Sequence, residues 1–127
     1  MPFTRAQRPL YEIKANLFKG LAHPFRIRIL ELLANVSESS VADLQAQTGL
    51  EASHLSQHLA VLRRHRLVAS ERRGSHVYYR LGDPAVGRLL AVARDLLVEV
   101  LAAEGDLLRD VATLPALASS DGSESGS

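Results

Sequence analysis

Apolar residues recur along this chain with two different periods, and the change of period divides it. Leu10, Ile13, Leu17, Phe18 and Leu21 stand three or four residues apart, the spacing that gathers side chains on one face of an α-helix. His23-Pro24 interrupts that pattern, and proline fits the first turn of the helix that follows. There Phe25, Ile27, Ile29, Leu30, Leu32 and Leu33 are apolar on most sides, which predicts a central helix. Asn35 to Ser39 read as a polar loop. Ser40 is a good N-cap for a short helix over Val41–Thr48, and Gly49 supplies its left-handed end. After Gly49-Leu50-Glu51-Ala52, Ser53 is expected to cap another helix running roughly to His65. In it Leu55, Leu59 and Leu62 face inward, while His54, Gln57 and His58 lie outward or at the boundary.

Beyond that helix the period shortens. Leu67 to Arg73 and His76 to Leu81 read as two strands around Gly74-Ser75, where glycine supplies the positive φ of a tight turn. Asp83-Pro84 then opens a long helix with Val86, Leu89, Leu90, Ala93, Leu96, Leu97, Val100 and Leu101 on one broad stripe. Gly105 weakens its continuation, and a short helical piece is expected up to Leu114. Residues 1–9, with Pro2, Arg5, Arg8 and Pro9, read as a flexible arm. Residues 113–127, rich in Ser, Gly and acids, read as a disordered tail. The expectation is one mainly α domain over 10–112 with a β-hairpin, in the order α-α-α-α-β-β-α. Two helices joined by a turn of about four residues with Gly form a helix-turn-helix, and a hairpin directly behind it is a wing.

Composition narrows the chemistry. The 127 residues suit one domain, and 46% apolar content fills a modest core. With no cysteine, disulfides, thiolate metal sites, a cysteine nucleophile and thiol redox sensing are excluded. No apolar run reaches transmembrane length and no leader pattern opens the chain, so a cytoplasmic location with no membrane partner is expected. The net charge of +1 hides a local concentration. Between Glu51 and Leu81, six arginines (63, 64, 66, 72, 73 and 80) face two acids (Glu51 and Glu71), a local charge of +4. A basic block inside a near-neutral chain points to an anionic partner, although charge alone is equally consistent with a solvated surface.

The string Phe18-Lys19-Gly20-Leu21-Ala22-His23-Pro24-Phe25-Arg26-Ile27-Arg28-Ile29-Leu30 resembles the opening of ArsR/SmtB-type winged-helix repressors. Val41-Ala42-Asp43-Leu44, Leu55-Ser56-Gln57-His58-Leu59, Leu62 to Val68 and Gly74 to Leu81 continue the resemblance, which covers about residues 10–103. It implies a homodimer built through the first and last helices that represses transcription from a double-stranded operator until an effector releases it. One departure stands out: His65-Arg66 occupies the place of the family's Ala-Gly. Arg66 must therefore adopt a left-handed conformation or the helix must end differently.

The residues themselves suit such a role. Ser53, His54, Ser56, Gln57 and His58 offer hydroxyl, amide and imidazole groups that can read base edges from the first half of a recognition helix. Arg63, Arg64 and Arg66 would meet the phosphate backbone and make binding salt-dependent. On the wing, Arg72, Arg73, Ser75 and His76 would touch phosphates or probe the minor groove. The plain alternative for all of them is an ordinary polar surface.

Metal sensing, common in the family, finds little support. Ser40 and Ala42 stand where the resemblance would place cysteines before Asp43-Leu44. In the final helix Asp83 and Glu99 remain, but Ala85 and Leu96 replace the imidazoles. Two carboxylates without histidine hold zinc or nickel poorly. His54 and His58, four residues apart on one helix face, are the remaining metal candidates, for nickel or zinc as effector, and two ligands need others to complete a site. His23, before the proline, reads as a helix-boundary packing residue. A second functional class is a winged-helix protein-interaction module without specific DNA binding, its arginines meeting an acidic partner. Catalysis is not expected, since no nucleophile motif, phosphate loop or three-ligand zinc pattern occurs.

Overall fold

The computed structural model describes residues 5–102 together with Glu104 and Thr113. Five helices and three strands follow in the order α1 (Arg8–Leu21), α2 (Pro24–Ala34), β1 (Ser39–Ser40), α3 (Val41–Thr48), α4 (Ala52–Arg64), β2 (Val68–Arg73), β3 (His76–Leu81) and α5 (Pro84–Ala102). Ile29, Leu30 and Leu33 of α2 meet Leu44 of α3, Leu55, Leu59 and Leu62 of α4, Leu67 and the first β2 residue Val68, and Val86 and Leu90 of α5 in one buried cluster. Helix α2 is central, as its apolar pattern predicts, though Phe25 and Ile27 at its start stay on the surface. The result is a winged helix-turn-helix: α3 and α4 form the helical pair and β2–β3 the wing.

Several local devices match their sequence signals. The Ser40 hydroxyl accepts from the Asp43 N–H at 3.0 Å, capping α3, and Gly49 closes that helix at φ 73°. His23 caps α2 through its ring, Nδ1 accepting from the Phe25 N–H at 3.1 Å. Asp83 caps the start of α5, its Oδ1 accepting from the Ala85 N–H at 2.8 Å. In the two-residue wing turn Gly74 has φ 65°.

Other boundaries differ from expectation. Helix α1 begins at Arg8 rather than Leu10, because Pro9 is tolerated in a first turn whose N–H groups lack intrahelical partners. Arg5 to Gln7 form a turn leading into it. Ser53 does not cap α4. The helix starts at Ala52, with Glu51 in the cap position making no side-chain cap bond, which leaves the Ser53 side chain exposed inside the first turn. The expected loop over 35–39 gives way at its end to β1, which pairs antiparallel with β3 through Ser39↔Tyr79 and Ser40↔Tyr78. The wing is thus a three-stranded sheet in the order β1-β3-β2. Expectations about Gly105, a helical piece up to Leu114 and the disordered tail, apart from Thr113, lie outside the described residues, as do residues 1–4 of the arm.

The end of α4 resolves the question posed by Arg66. The Arg66 N–H donates to the Arg63 carbonyl at 3.0 Å, and the Leu67 N–H to the Leu62 carbonyl at 2.9 Å. This double closure requires a left-handed residue, and Arg66 takes that conformation at φ 60°, alone among the described non-glycine residues. Leu67, turned back by the closure, is buried beside Leu62 in the core. The chain then leaves directly into β2, and the Gly82 N–H returns to the Leu67 carbonyl at 2.9 Å across the wing base. Gly82 is required there for space, since a Cβ would lie 2.3 Å from the Arg66 carbonyl oxygen.

A left-handed non-glycine residue costs about 1–2 kcal/mol, against which glycine loses about 0.5–1 kcal/mol of unfolded-chain freedom. Arg66→Gly is therefore expected to raise the unfolding free energy by about 0.5–1 kcal/mol. Urea denaturation of the two proteins side by side measures this.

Candidate nucleic-acid interface

Helix α4 spends one stripe of residues on the core. Leu55, Leu59 and Leu62 are buried, and the helical repeat then places Ser53, Ser56, Gln57, Ala60 and Arg64 on the opposite, exposed side. A cleft of about 460 Å³ runs between this side and the wing, lined by Ser56, Ala60, Arg63, Arg64 and Tyr79. Arg63 and Arg66 also line a neighbouring cleft of about 380 Å³ with Val68, Ala69, Ser70 and Gly82 at the wing base. There Arg63 Nη1 approaches Ser70 Oγ at 3.4 Å, a long contact that leaves most of its donors available. The helix and hairpin thus frame one basic surface, with the small residues Ser56 and Ala60 leaving room between them.

The predicted site residues divide into those this surface presents and those the fold uses internally. Ser53, His54, Ser56, Gln57, Arg63, Arg64, Arg66, Arg72, Ser75 and His76 are all exposed. His54 Nδ1 stands 4.0 Å from Glu51 Oε1, and His76 meets the Tyr78 ring edge-on at a centroid distance of 6.4 Å. Arg73 is different. Its guanidinium pairs with the Glu38 carboxylate and lies 3.9 Å above the Tyr78 ring centre. The Glu38 hydrogen bond, with the charges of Glu38, Glu71 and Tyr78 adding to it, pushes the Arg73 pKa further up. This side chain ties the outer end of the wing to the segment entering β1. No local signal marks that pairing, because Glu38 lies 35 residues away and the β1–β3 pairing brings them together. Conversely, Arg80 is exposed on β3 opposite Ala69, an added cation not among the expected contacts.

His58 also departs from its neighbours. It is half-buried on the α2 side of α4, its ring 4.4 Å from that of His23, with Arg26 Nη1 3.5 Å from its Nδ1. Burial, then the charges of His23, Arg26 and His54, lower its pKa. Among the described residues no group of three or more His, Asp or Glu side chains is gathered closely enough to hold one metal ion. The His54–His58 pair therefore has no third protein ligand there, and the Arg26 guanidinium beside His58 opposes a cation. These residues do not fit a zinc or nickel site.

Comparison with known proteins agrees with this architecture. Residues 23–70 match the model for bacterial regulatory proteins of the arsR family. The HTH-type transcriptional regulator Rv0081 of Mycobacterium tuberculosis is 48% identical over 103 residues, covering 81% of this chain and 90% of that protein. Its crystal structure superposes with a TM-score of 0.70 at 50% identity, over 76% of this chain and 96% of that one. The solution structure of the homodimeric winged helix-turn-helix DNA-binding domain of Mb0332 from Mycobacterium bovis gives a TM-score of 0.71 at 31% identity, covering 78% and 91% of the two chains. A biofilm growth-associated repressor of Xylella fastidiosa is 37% identical over 76 residues, 60% of this chain and 66% of that protein. With its helix pair, its wing and nearly all of such a relative's length accounted for, the chain belongs to the arsR family of bacterial regulatory proteins, a regulatory rather than catalytic family.

Proposed function

We propose that the protein is a homodimeric, sequence-specific transcriptional repressor that reads double-stranded DNA with α4 and grips the backbone with its wing. The observation that carries this reading is the exposed face of α4. Ser53, Ser56 and Gln57 lie outward in its first half, Arg63 and Arg64 are exposed in its last turn, and the wing stands across a narrow cleft. A helix of this kind enters the major groove N-terminal half first, with arginines placed to neutralise phosphates. Ser53, His54, Ser56 and Gln57 are the proposed base-reading groups. Arg63, Arg64, Arg66, Arg72, Ser75, His76 and, from the structure, Arg80 are the proposed backbone contacts.

The dimer follows from surface that a monomer leaves open. Leu10 and Ile13 on α1 are 67% and 65% exposed, and Val92 and Leu96 on α5 are 64% and 60% exposed. Tyr11, Phe18, Leu97 and Val100 extend these apolar faces. Exposed apolar area on this scale marks an interface, and the Mb0332 domain, of the same fold, is homodimeric. A two-fold dimer sets two reading helices about one DNA turn apart. A regulatory signal would act by favouring a dimer geometry that misplaces those helices. The donor set does not support nickel or zinc bound at His54 and His58 as that signal.

Selection from random duplexes tests the reading. A salt-sensitive, dimer-sized complex with a partly palindromic site is expected, whereas failure to enrich any duplex at low salt favours a protein-interaction module. Leu96→Glu is expected to shift sedimentation towards monomer and to weaken binding at least about tenfold, because a lone reading helix loses half the contacts. The wing gives a sharper contrast. Arg72→Ala is expected to reduce the salt slope of binding by about one charge. Arg73→Ala is expected to loosen the wing, seen as faster amide exchange in β2 and β3, with a smaller change in that slope.

A further inference from the structure

A polar network outside the proposed reading face joins α4 to the elbow between α1 and α2. Arg26, in the first turn of α2, donates from Nε to the Gly20 carbonyl at 2.7 Å and from Nη2 to the Lys19 carbonyl at 3.2 Å. These are carbonyls of the last turn of α1, where intrahelical donors run out; that of Lys19 also accepts from the Ala22 N–H at 3.2 Å. The same guanidinium turns Nη1 towards His58 Nδ1 on α4. The His23 ring packs against His58 at a tilt of 47°, and the Phe25 ring lies beyond at a centroid distance of 6.2 Å with its plane 29° from that of His58. Two turns along, His65 rests on Gly20 so closely that a Cβ there would lie 2.7 Å from the ring. His58 of α4 thus meets the start of α2, and His65, at the C-cap of α4, meets the end of the helix whose outer face carries Leu10 and Ile13.

We propose that this contact is an acid-sensitive clasp, closed when His23 and His58 are neutral and opened by protonation, so that acidification frees the α1–α2 elbow from the reading helix and weakens operator binding. The inference rests on α4 being the DNA-reading helix. Its basis is the hydrogen-bond direction at each ring. His23 Nδ1 accepts from the Phe25 N–H, and His58 Nδ1 faces a guanidinium, which can only donate. Both contacts need a bare Nδ1. A proton on His23 removes the cap of α2, and a proton on His58 sets two donors and two positive charges against each other.

The surrounding groups add to this effect. Arg26 and His23 face His58 from α2, and His54 faces it from its own helix, while Glu51 stands 4.0 Å from His54 rather than at His58. From α1 come the carbonyls of Lys19 and Gly20, already taken by Arg26. His58 thus binds a proton less readily when clasped than when free. By linkage the clasp is at full strength above the ordinary histidine pKa of about 6.5 and is lost as pH falls through the lowered value. The direction is diagnostic. Without a clasp, protonated imidazoles near DNA add positive charge and tighten phosphate binding on acidification.

The test compares wild-type protein with His23→Asn, whose side-chain oxygen can still cap α2 but does not titrate. Affinity for a selected operator is measured at about pH 7.5 and about pH 5.5 at constant ionic strength, with dimer content checked by sedimentation. Wild type is expected to lose at least about threefold in affinity at the lower pH, and His23→Asn to lose much less. Affinity that holds or rises in wild type, or an equal loss in both proteins, overturns the proposal. Titration of the His58 ring by NMR provides a readout independent of DNA. A midpoint below the ordinary value in wild type that moves up in His23→Asn supports the clasp, and identical midpoints overturn it. If neither protein binds any duplex at either pH, the DNA-reading role fails, and the NMR midpoints alone decide the clasp.

Discussion

The burial of Leu55, Leu59 and Leu62 is the constraint from which the arrangement of this protein follows. All three sit in the core at 2% exposure or less, packed with Ile29, Leu30 and Leu33 of α2 and Leu44 of α3. Each leucine contributes on the order of 2–5 kcal/mol relative to alanine, so α4 cannot rotate without losing much of the stability of a small domain. A helix fixed in rotation has a fixed outer face. Ser53, Ser56, Gln57 and Arg64 point outward because the leucines point in. The remaining edges of α4 are then assigned as well, with Arg63 and Ser56 towards the wing and His58 and His65 towards α1 and α2.

The wing is fixed to that helix by backbone geometry rather than by a flexible joint. Arg66 turns the chain through the left-handed region, Leu67 returns to the core, and Gly82 closes the base by bonding to the Leu67 carbonyl. At its outer end the hairpin is tied by Arg73 to Glu38 and along its middle by the short β1 pairing. The interval between α4 and the wing is therefore built in. At the opposite end of the domain, burial pushes up the carboxyl pKa of Glu31 on α2, while the charges of Arg28 and Arg94 act in the other direction. Arg94 lies on α5, so this electrostatic link runs between the central helix and the one whose far side is open for a partner.

What the sequence conveyed and what it did not differ in physical range. Signals resolved within a few residues carried through: the cap at Ser40, the left-handed Gly49 and Gly74, the leucine stripe of α4, the Asp83 cap and the conflict at Arg66. Each depends only on local backbone geometry or helical period. What was hidden depends on contacts between distant segments. Two serines form no recognisable strand until β3 lies beside them, and Arg73 reads as one more wing cation until that pairing brings in Glu38. Similarly, His58 reads as a groove-facing or metal-binding imidazole, and its actual partners, His23 and Arg26, lie more than thirty residues away in another helix. The Ser53 cap failed for a subtler reason. Serine favours the cap position, but Ala52, a better helix former, extends the helix one residue earlier.

These features describe a rigid reading unit with an open apolar flank, and the flank gives the unit its use. Two copies joined through α1 and α5 would present two α4 helices on one side of the pair, and the spacing of those helices decides whether a regular duplex can take both. Hydroxyl-radical footprinting of the protein on its selected operator tests that geometry most directly. Two protected patches on one face of the duplex are expected, with centres about one helical turn, or about 10 base pairs, apart. A single continuous patch, or two patches on opposite faces, would contradict it.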